Sequence, residues 1–275
     1  MSTTINTNVT ALVAQNALKV NGRAMSTVME QLSTGKRINS AKDDAAGLAI
    51  AEGMSAQIRS LNMAVRNAND GISLAQTAEG AMIEITNMIQ RMRELAVQAS
   101  NGTVSTDQRD YLQSEFSALA DQITATTATT SWNGMKLLNG SHSAISIQVS
   151  SMGSGSGITV DVTLTDVSGL DVLSGDISGS TGSDARAVIA DADTSLDVLS
   201  EARAGLGAVV NRLTSAADNL TNISQNLSAS RSRIVDTDYA QATTELARTM
   251  IIQQAGTAIM AQANQMPMSV LALLR

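Results

Sequence analysis

Groups able to do chemistry are few in this chain and far apart. His142 is the one histidine among 275 residues and there is no cysteine. A zinc site of the Cys/His type and a Cys-His nucleophile pair are therefore excluded, and a Ser-His-Asp triad would have to be built on a Gly, Ser and Asn-rich turn. His142 is read as a solvated loop side chain. The carboxylate pairs Asp43-Asp44 and Asp236/Asp238 could in principle move a proton or hold a cation. Both stand where a helix is about to begin, and there a carboxylate is more simply a cap for unsatisfied N–H groups. No Gly-rich loop follows a strand and opens a helix, so nucleotide binding has no support. The chain is expected to be non-enzymatic, with no catalytic residue, cofactor or metal.

Periodicity is much stronger than chemistry. Apolar or small residues recur at Met54, Ile58, Leu61, Val65, Ala68, Ile72, Ala75, Ala78, Met82, Ile85, Ile89, Met92 and Ala96 in steps of three and four, with one slip at Ala78. This is a coiled-coil stripe of about six heptads. Such a helix spans about 65 Å at 1.5 Å per residue, too long to be buried in one globule, so it needs a companion along its length. Leu199, Leu206, Leu213, Leu220 and Leu227, seven apart and continued by Ile234, supply it, with Leu196, Val210, Ala217 and Ile223 roughly filling the second heptad position. The expected fold is mainly α: a long antiparallel coiled-coil rod in which the N- and C-terminal halves pair, with a small β-hairpin at the centre of the chain. An ordinary bundle of unusually long helices is the alternative.

Composition agrees. Aromatic residues make up 1% of the chain, with one Trp, one Phe and one Pro, so the core must be thin and aliphatic and the helices uninterrupted. The net charge is −7, with a pI near 4.7. Basic residues are scattered, which argues against a DNA-binding zipper and any nucleic-acid partner. No apolar block precedes Lys19 and no run of eighteen uncharged apolar residues exists, so neither a cleaved secretory signal nor membrane insertion is expected.

In chain order, residues 1–33 read as a helix with a narrow apolar face: Ile5, Val9, Leu12, Val13, Val20, Met25, Val28 and Leu32. Gly35 ends it. Ser100-Asn101-Gly102 closes the long helix, and Ser105 with Gln108 forms a capping box for a helix striped by Leu112, Phe116, Leu119 and Ile123, fading into Thr-rich sequence up to Thr130. Trp132-Asn133-Gly134 and Asn139-Gly140 read as turns. Alternation at Ile145, Ile147 and Val149, then at Ile158, Val160, Val162 and Leu164, gives two strands of a hairpin around a flexible Ser151–Gly157 connection. Residues 150–183, rich in Gly and Ser and without apolar periodicity, read as an outward-facing tip that tolerates replacement. Beyond Tyr239 a last helix carries Ile252, Ala255, Ile259, Ala263, Met266, Val270 and Leu273 on one face, and its natural companion is the helix of residues 1–33.

The stretch Leu32-Ser33-Thr34-Gly35-Lys36-Arg37-Ile38-Asn39-Ser40-Ala41-Lys42-Asp43-Asp44-Ala45-Ala46-Gly47-Leu48-Ala49-Ile50-Ala51 closely resembles the amino-terminal signature of bacterial flagellins. Ser232-Arg233-Ile234-Val235-Asp236-Thr237-Asp238-Tyr239-Ala240 and the ending Gln262 to Arg275 are similar to that family's other end. The resemblance covers roughly residues 1–140 and 184–275, and leaves so little middle that a minimal form with only two core domains is implied. These would be an inner-core domain of residues 1–40 plus 236–275 and an outer-core domain of residues 41–183 plus 184–235, with the hairpin near 144–165. The resemblance implies a structural subunit that polymerises with many copies of itself into the extracellular flagellar filament used for swimming. Export would follow the flagellar type III route, unfolded through a narrow channel, with an export chaperone and the cap and hook-associated proteins as partners. Ile5, Val9, Leu12, Ile252, Ile259, Met266, Val270 and Leu273 are then expected to pack the filament core, because the two terminal stripes alone bury too little to offset ordering costs of about 1–2 kcal/mol per residue. The resemblance further implies a patch for the host flagellin-sensing Toll-like receptor at Arg91, Leu95 and Glu115, with Arg91 and Leu95 expected on one face beside the seam of Met92 and Ala96. Ser and Thr of the tip would be candidates for O-linked sugars on the same ground. A hook-filament junction protein, or a coiled-coil signalling rod, are the alternative functions.

Overall fold

The computed structural model describes residues 7–150, 158–179 and 182–273, with side chains as far as Gln265. Among the described residues there are five long helices: α1 (Val9–Thr34), α2 (Ala45–Ala99), α3 (Thr106–Thr129), α4 (Ser183–Val235) and α5 (Tyr239–Leu273). Between α3 and α4 come the antiparallel pairs β1 (Ser131–Trp132) with β2 (Met135–Lys136) and β3 (Ala144–Gln148) with β4 (Thr159–Thr163), then a single 3-10 turn at Asp171–Ser174. The mainly helical fold with a small hairpin region at its centre is therefore observed. By internal packing the chain divides into two units, Met1–Ala56 with Gln225–Arg275 (unit 1) and Gln57–Ser224 (unit 2).

In unit 2 the long helices run antiparallel. Ser224 Oγ donates to Asn62 Oδ1 at 3.0 Å, and Arg93 Nε to Asp193 Oδ1 at 2.7 Å. Advancing along α2 from Asn62 to Arg93 thus retreats by the same number of residues along α4. The predicted α2 stripe is buried almost throughout from Ile58 to Ala96, and Ala64, Leu74, Leu95 and Ala99 are buried with it. The extra positions have a plain cause: α3 covers one flank of α2 while α4 covers another, so the buried arc is wider than a two-helix seam. On α4 the row Leu199, Leu206, Leu213 and Leu220 is buried as expected and is extended by Ala192, but its second row is Val188, Ser195, Val209 and Ser224. Ile223 is exposed, and Leu196, Val210 and Ala217 are only half-buried. A 3.6-residue turn drifts about 20° per heptad from a strict seven-residue repeat, which moves the second row to adjoining positions.

α3 opens with the predicted capping box, Ser105 and Gln108 serving each other's backbone N–H. Its Thr-rich end is helical to Thr129, where hydroxyls of Thr124, Thr126 and Thr127 donate to carbonyls four residues back and so are satisfied without leaving the helix. The β1–β2 hairpin turns at Asn133 (φ 47°) and Gly134 (φ 80°), the positive pair that a two-residue hairpin needs. The predicted second hairpin forms, with Ile145 opposite Val162 and Ile147 opposite Val160. It docks where α2 lacks a side chain. A Cβ on Gly71 would stand 3.0 Å from Ile147 and 3.1 Å from Leu213, and Asn67 Nδ2 donates to Gln148 O nearby. The expected flexible connection Ser151–Gly157 lies outside the described residues.

The expectation of a loose tip through residue 183 needs correction. Val167, Val172 and Ile177 are fully buried, Ile177 N–H donates to Gln113 Oε1 at 2.8 Å, and Gly175 lies against Val188 and Phe116. Irregular chain can bury apolar residues without helical or strand spacing, so this packing leaves no periodic trace in the sequence.

In unit 1, α1 and α5 run antiparallel, held by Asn8 Nδ2 to Ala263 O and Asn21 Nδ2 to Thr249 O, both 2.8 Å. At the ends of α1 and α4 the chain crosses in a short antiparallel bridge, Lys36 opposite Asp236, with Arg37 N–H donating to Val235 O and Thr237 N–H to Gly35 O. Gly35, at φ 69°, makes the left-handed helix stop that this crossing requires.

Candidate interaction surfaces

Of the carboxylates considered for acid-base work, Asp44 and Asp238 cap helix starts. Asp44 Oδ1 accepts from Gly47 N–H at the start of α2, and Asp238 Oδ1 from Ala240 and Gln241 N–H at the start of α5. Asp43 Oδ2 accepts from the N–H groups of Asn39 and Ser40 and from the Ser40 hydroxyl. His142 is exposed. Among the described residues no three His, Asp or Glu side chains are grouped to hold a metal.

The chemically informative surfaces are apolar. On α5 the residues turned toward α1 are Ala242, Thr249, Gly256 and Ala263, seven apart and small. Leu18 of α1 lies over Gly256, where a Cβ would come within 2.6 Å of its Cδ2. Small residues of α5 let the two backbones approach; Leu18 and Val28 of α1 turn inward, and most of the large apolar side chains are left outside. Val9, Leu12, Val13, Val20 and Met29 of α1, and Met250, Ile251, Ile252 and Ile259 of α5, are all exposed. Four of the residues expected to pack a larger assembly, Val9, Leu12, Ile252 and Ile259, are thus on the open face. Ile5 lies outside the described residues. Helix α5 runs through Met266, Val270 and Leu273, whose side chains lie outside the described ones.

The expected patch on α2 and α3 is only partly formed as predicted. Arg91 Nε and Nη2 donate to Glu115 Oε1 at 3.0 and 2.8 Å, and Nη1 donates to Glu94 Oε2 at 3.0 Å, all at the surface. The hydrogen bond it donates to Glu115, then that to Glu94, raises the pKa of the Arg91 guanidinium above its ordinary value. Leu95 does not share that face. It is 1% exposed, because α3, tied to α2 through the Arg91–Glu115 pair, closes over the flank on which Leu95 stands. The exposed apolar surface in this patch is the ring of Tyr111, one turn before Glu115 on α3 and 76% exposed.

One residue that periodicity could not find organises the end of unit 2. Arg109 is buried, and it donates to the carbonyls of Ala99 (2.9 Å), Gly179 (3.2 Å) and Asn101 (3.3 Å). It joins the last turn of α2, the α2–α3 connection and the segment before α4. A Cβ on Gly182 would stand 2.4 Å from Ser100 O, so the chain passes α2 closely enough there that only glycine fits.

Comparison with known proteins finds relatives along the whole chain. Residues 5–143 match the family model described as the bacterial flagellin N-terminal helical region, and residues 189–274 the flagellin C-terminal helical region. A flagellin of Halalkalibacterium halodurans is 45% identical over 273 residues, covering 98% of this chain and 99% of that one. Flagellin A of Vibrio cholerae is 35% identical over 379 aligned positions and is covered completely, as is this chain. Among solved structures, the Bacillus cereus flagellin crystal structure superposes with a TM-score of 0.50 at 30% identity, over 60% of this chain and 94% of that one. A flagellar hook-associated protein from Vibrio parahaemolyticus shares the fold at 15% identity, with a TM-score of 0.50 over 71% of this chain.

Proposed function

Because the chain belongs to the bacterial flagellin family, as a short form with only the two core domains, we propose that the inverted packing of α1 and α5 is its polymerisation device. The protein is a structural subunit of the extracellular flagellar filament, and not an enzyme. What the proposal adds is where the subunits join. Residues 1–40 with 236–275 form the inner-core domain, and residues 41–235 the outer-core domain. Within the inner core a large apolar side chain fully removed from water contributes about 1.5–3 kcal/mol. Val9, Leu12, Ile252 and Ile259 do not gain this in one chain and gain it against neighbouring copies, together with Ile5, Met266, Val270 and Leu273. The observation that carries the reading is that α5 turns a row of small residues toward α1 while most large apolar side chains of both helices stay exposed, the reverse of a self-sufficient two-helix unit.

The test is seeded assembly followed by electron microscopy. Full-length protein should extend seeds into long filaments, and protein lacking Met266–Arg275 should stay soluble and fail to extend them. Normal extension by the truncated chain overturns the reading.

Family membership supports a reading of the finer partners. Export proceeds through the flagellar type III route with an export chaperone, and assembly meets the cap and hook-associated proteins. The flagellin-sensing Toll-like receptor of a host binds the surface of Arg91 and Glu115, with Tyr111 as the exposed apolar anchor and Leu95 supporting from beneath. Supporting this reading is the pairing of a charged, geometrically fixed Arg with an exposed aromatic, a common hot-spot composition. The hook-filament alternative has no support beyond a shared fold.

A further inference from the structure

Four Asn-Gly dipeptides occur in the chain, at Asn21-Gly22, Asn101-Gly102, Asn133-Gly134 and Asn139-Gly140. In such a dipeptide no side chain on the second residue hinders attack of its peptide nitrogen on the preceding carboxamide. The four environments differ sharply.

Asn139 follows two buried leucines, Leu137 and Leu138, and its turn is anchored by Val167 N–H donating to Leu138 O at 3.0 Å. Asn139 Oδ1 accepts from Ser141 N–H at 3.2 Å. That bond folds the carboxamide back along its own following peptide and draws electron density from Cγ. Gly140 sits at φ 71°, and a Cβ there would stand 2.5 Å from Asp166 Oδ2, so a carboxylate oxygen lies beside this glycine. Asp166 Oδ1 is engaged by the N–H and hydroxyl of Ser168, at 2.9 and 2.6 Å, while Oδ2 stands on the Gly140 side.

The other three lack this set. Asn21 is 8% exposed within α1, and its amide nitrogen is held by Thr249 O and Gln253 Oε1. Asn101 Oδ1 accepts from Thr103 N–H, but a Cβ on Gly102 would meet nothing within 4 Å, so no carboxylate stands there. The same holds at Gly134.

We propose that Asn139 is a self-modifying site, at which Asp166 assists cyclisation of the Asn139 side chain onto the Gly140 nitrogen, with water as the only co-reactant. The Gly140 N–H proton passes to Asp166 Oδ2 as the nitrogen bonds to Asn139 Cγ. The Cγ–Nδ2 bond breaks and the nitrogen leaves as ammonia, taking up the proton and producing a five-membered succinimide. Water then adds to either ring carbonyl and opens one of the two C–N bonds. The products are aspartate, or isoaspartate with an extra methylene in the main chain. No electrons are transferred. The modification adds a negative charge beside Asp166, and in its isoaspartate form it lengthens the chain next to the Leu138–Val167 tie. An extracellular polymer whose subunits are not replaced would carry it as a mark of age.

The experiment incubates full-length protein at neutral pH, native and in urea, and follows each Asn-Gly peptide by mass spectrometry and by labelling with an isoaspartate-specific methyltransferase. In the native protein Asn139 should gain one mass unit fastest of the four, and faster than the same peptide in urea, while Asn21 should be nearly inert natively and react in urea. Asp166→Asn, which keeps an acceptor for Ser168, should slow Asn139 by about tenfold or more without changing Asn101 or Asn133. If that variant loosened the fold, all native rates would move toward the urea rates together, and the native-to-urea ratio of the wild type at Asn139 would still decide. An Asn139 rate no greater than that of Asn133, or no greater natively than in urea, overturns the proposal. So does a folded Asp166→Asn variant that reacts as fast as the wild type.

Discussion

At the residue scale, Arg109 and Leu95 carry the main lessons. Arg109 buries a charge and donates to main-chain carbonyls of three segments, so its removal leaves those acceptors without their donor. Arg109→Ala should lower the unfolding free energy by about 3 kcal/mol or more, read from the denaturant midpoint, whereas charge removal at an exposed arginine such as Arg212 should change it little. Leu95 changes how the receptor surface must be tested. Its truncation to Ala opens a core cavity costing about 2–5 kcal/mol, so lost signalling by that variant would report unfolding as readily as lost contact. Arg91→Ala and Tyr111→Ala leave the core intact, and each should weaken receptor-dependent signalling by about tenfold with unchanged melting. Equal responses from the wild type and both variants would remove the assignment.

The element that decides assembly is the α1–α5 pair. Its inner face of Ala242, Thr249, Gly256 and Ala263 sets how closely the helices approach, and its outer face presents Ile252 and Ile259 to the surroundings. Ile252→Asp with Ile259→Asp should leave the helix content of the monomer unchanged, because both side chains are already exposed in one chain. The same double variant should abolish sedimentable polymer, since burying a carboxylate against a neighbouring apolar face is far costlier than leaving it in water. Wild-type yields of pelleted filament from this variant would place the subunit contacts elsewhere. A second element-scale test uses the close pass before α4. Gly182→Ala forces a methyl into the Ser100 carbonyl and should destabilise by about 1–3 kcal/mol by calorimetry.

For the whole molecule, pH acts through carboxylates spread over both units. Glu245 is held below the usual carboxylate range by its bond from Arg248, and Asp176 by the Ser178 hydroxyl and then its N–H. At Asp43, desolvation alone would raise the value. It is outweighed by N–H donation from Ser40 and Asn39, the Ser40 hydroxyl and the charge of Lys42. In each case the folded-state value lies below the unfolded one. The contribution is therefore complete above the ordinary carboxylate range and is lost as pH falls through the lowered values. Thermal melts should be level from neutrality to about pH 5 and decline below about pH 4, with no loss attributable to these groups on raising the pH toward 8. A melting temperature already falling between pH 7 and 6 would assign the sensitivity to other groups.

The sequence by itself determined the helices, their antiparallel partnership and the turns, because each rests on local spacing: threes and fours along α2, sevens along α4, Ser105 with Gln108, Asn133 with Gly134. It also determined the family, through two end signatures whose residues need no folding to be read. Which face of a helix meets which partner was decided only by tertiary structure. α5 carries Ile252 and Ile259 in a regular stripe, yet a parallel row of small residues won the contact with α1, because close backbone approach favours small side chains and a hydrophobic pattern does not say what covers it. Leu95 was assigned to a surface by its distance from Arg91 along one helix, and a third helix buried it. Val167, Val172 and Ile177 pack in irregular chain, and Arg109 reaches carbonyls separated by up to seventy positions. No one-dimensional spacing encodes either arrangement, since both depend on three segments arriving at one place.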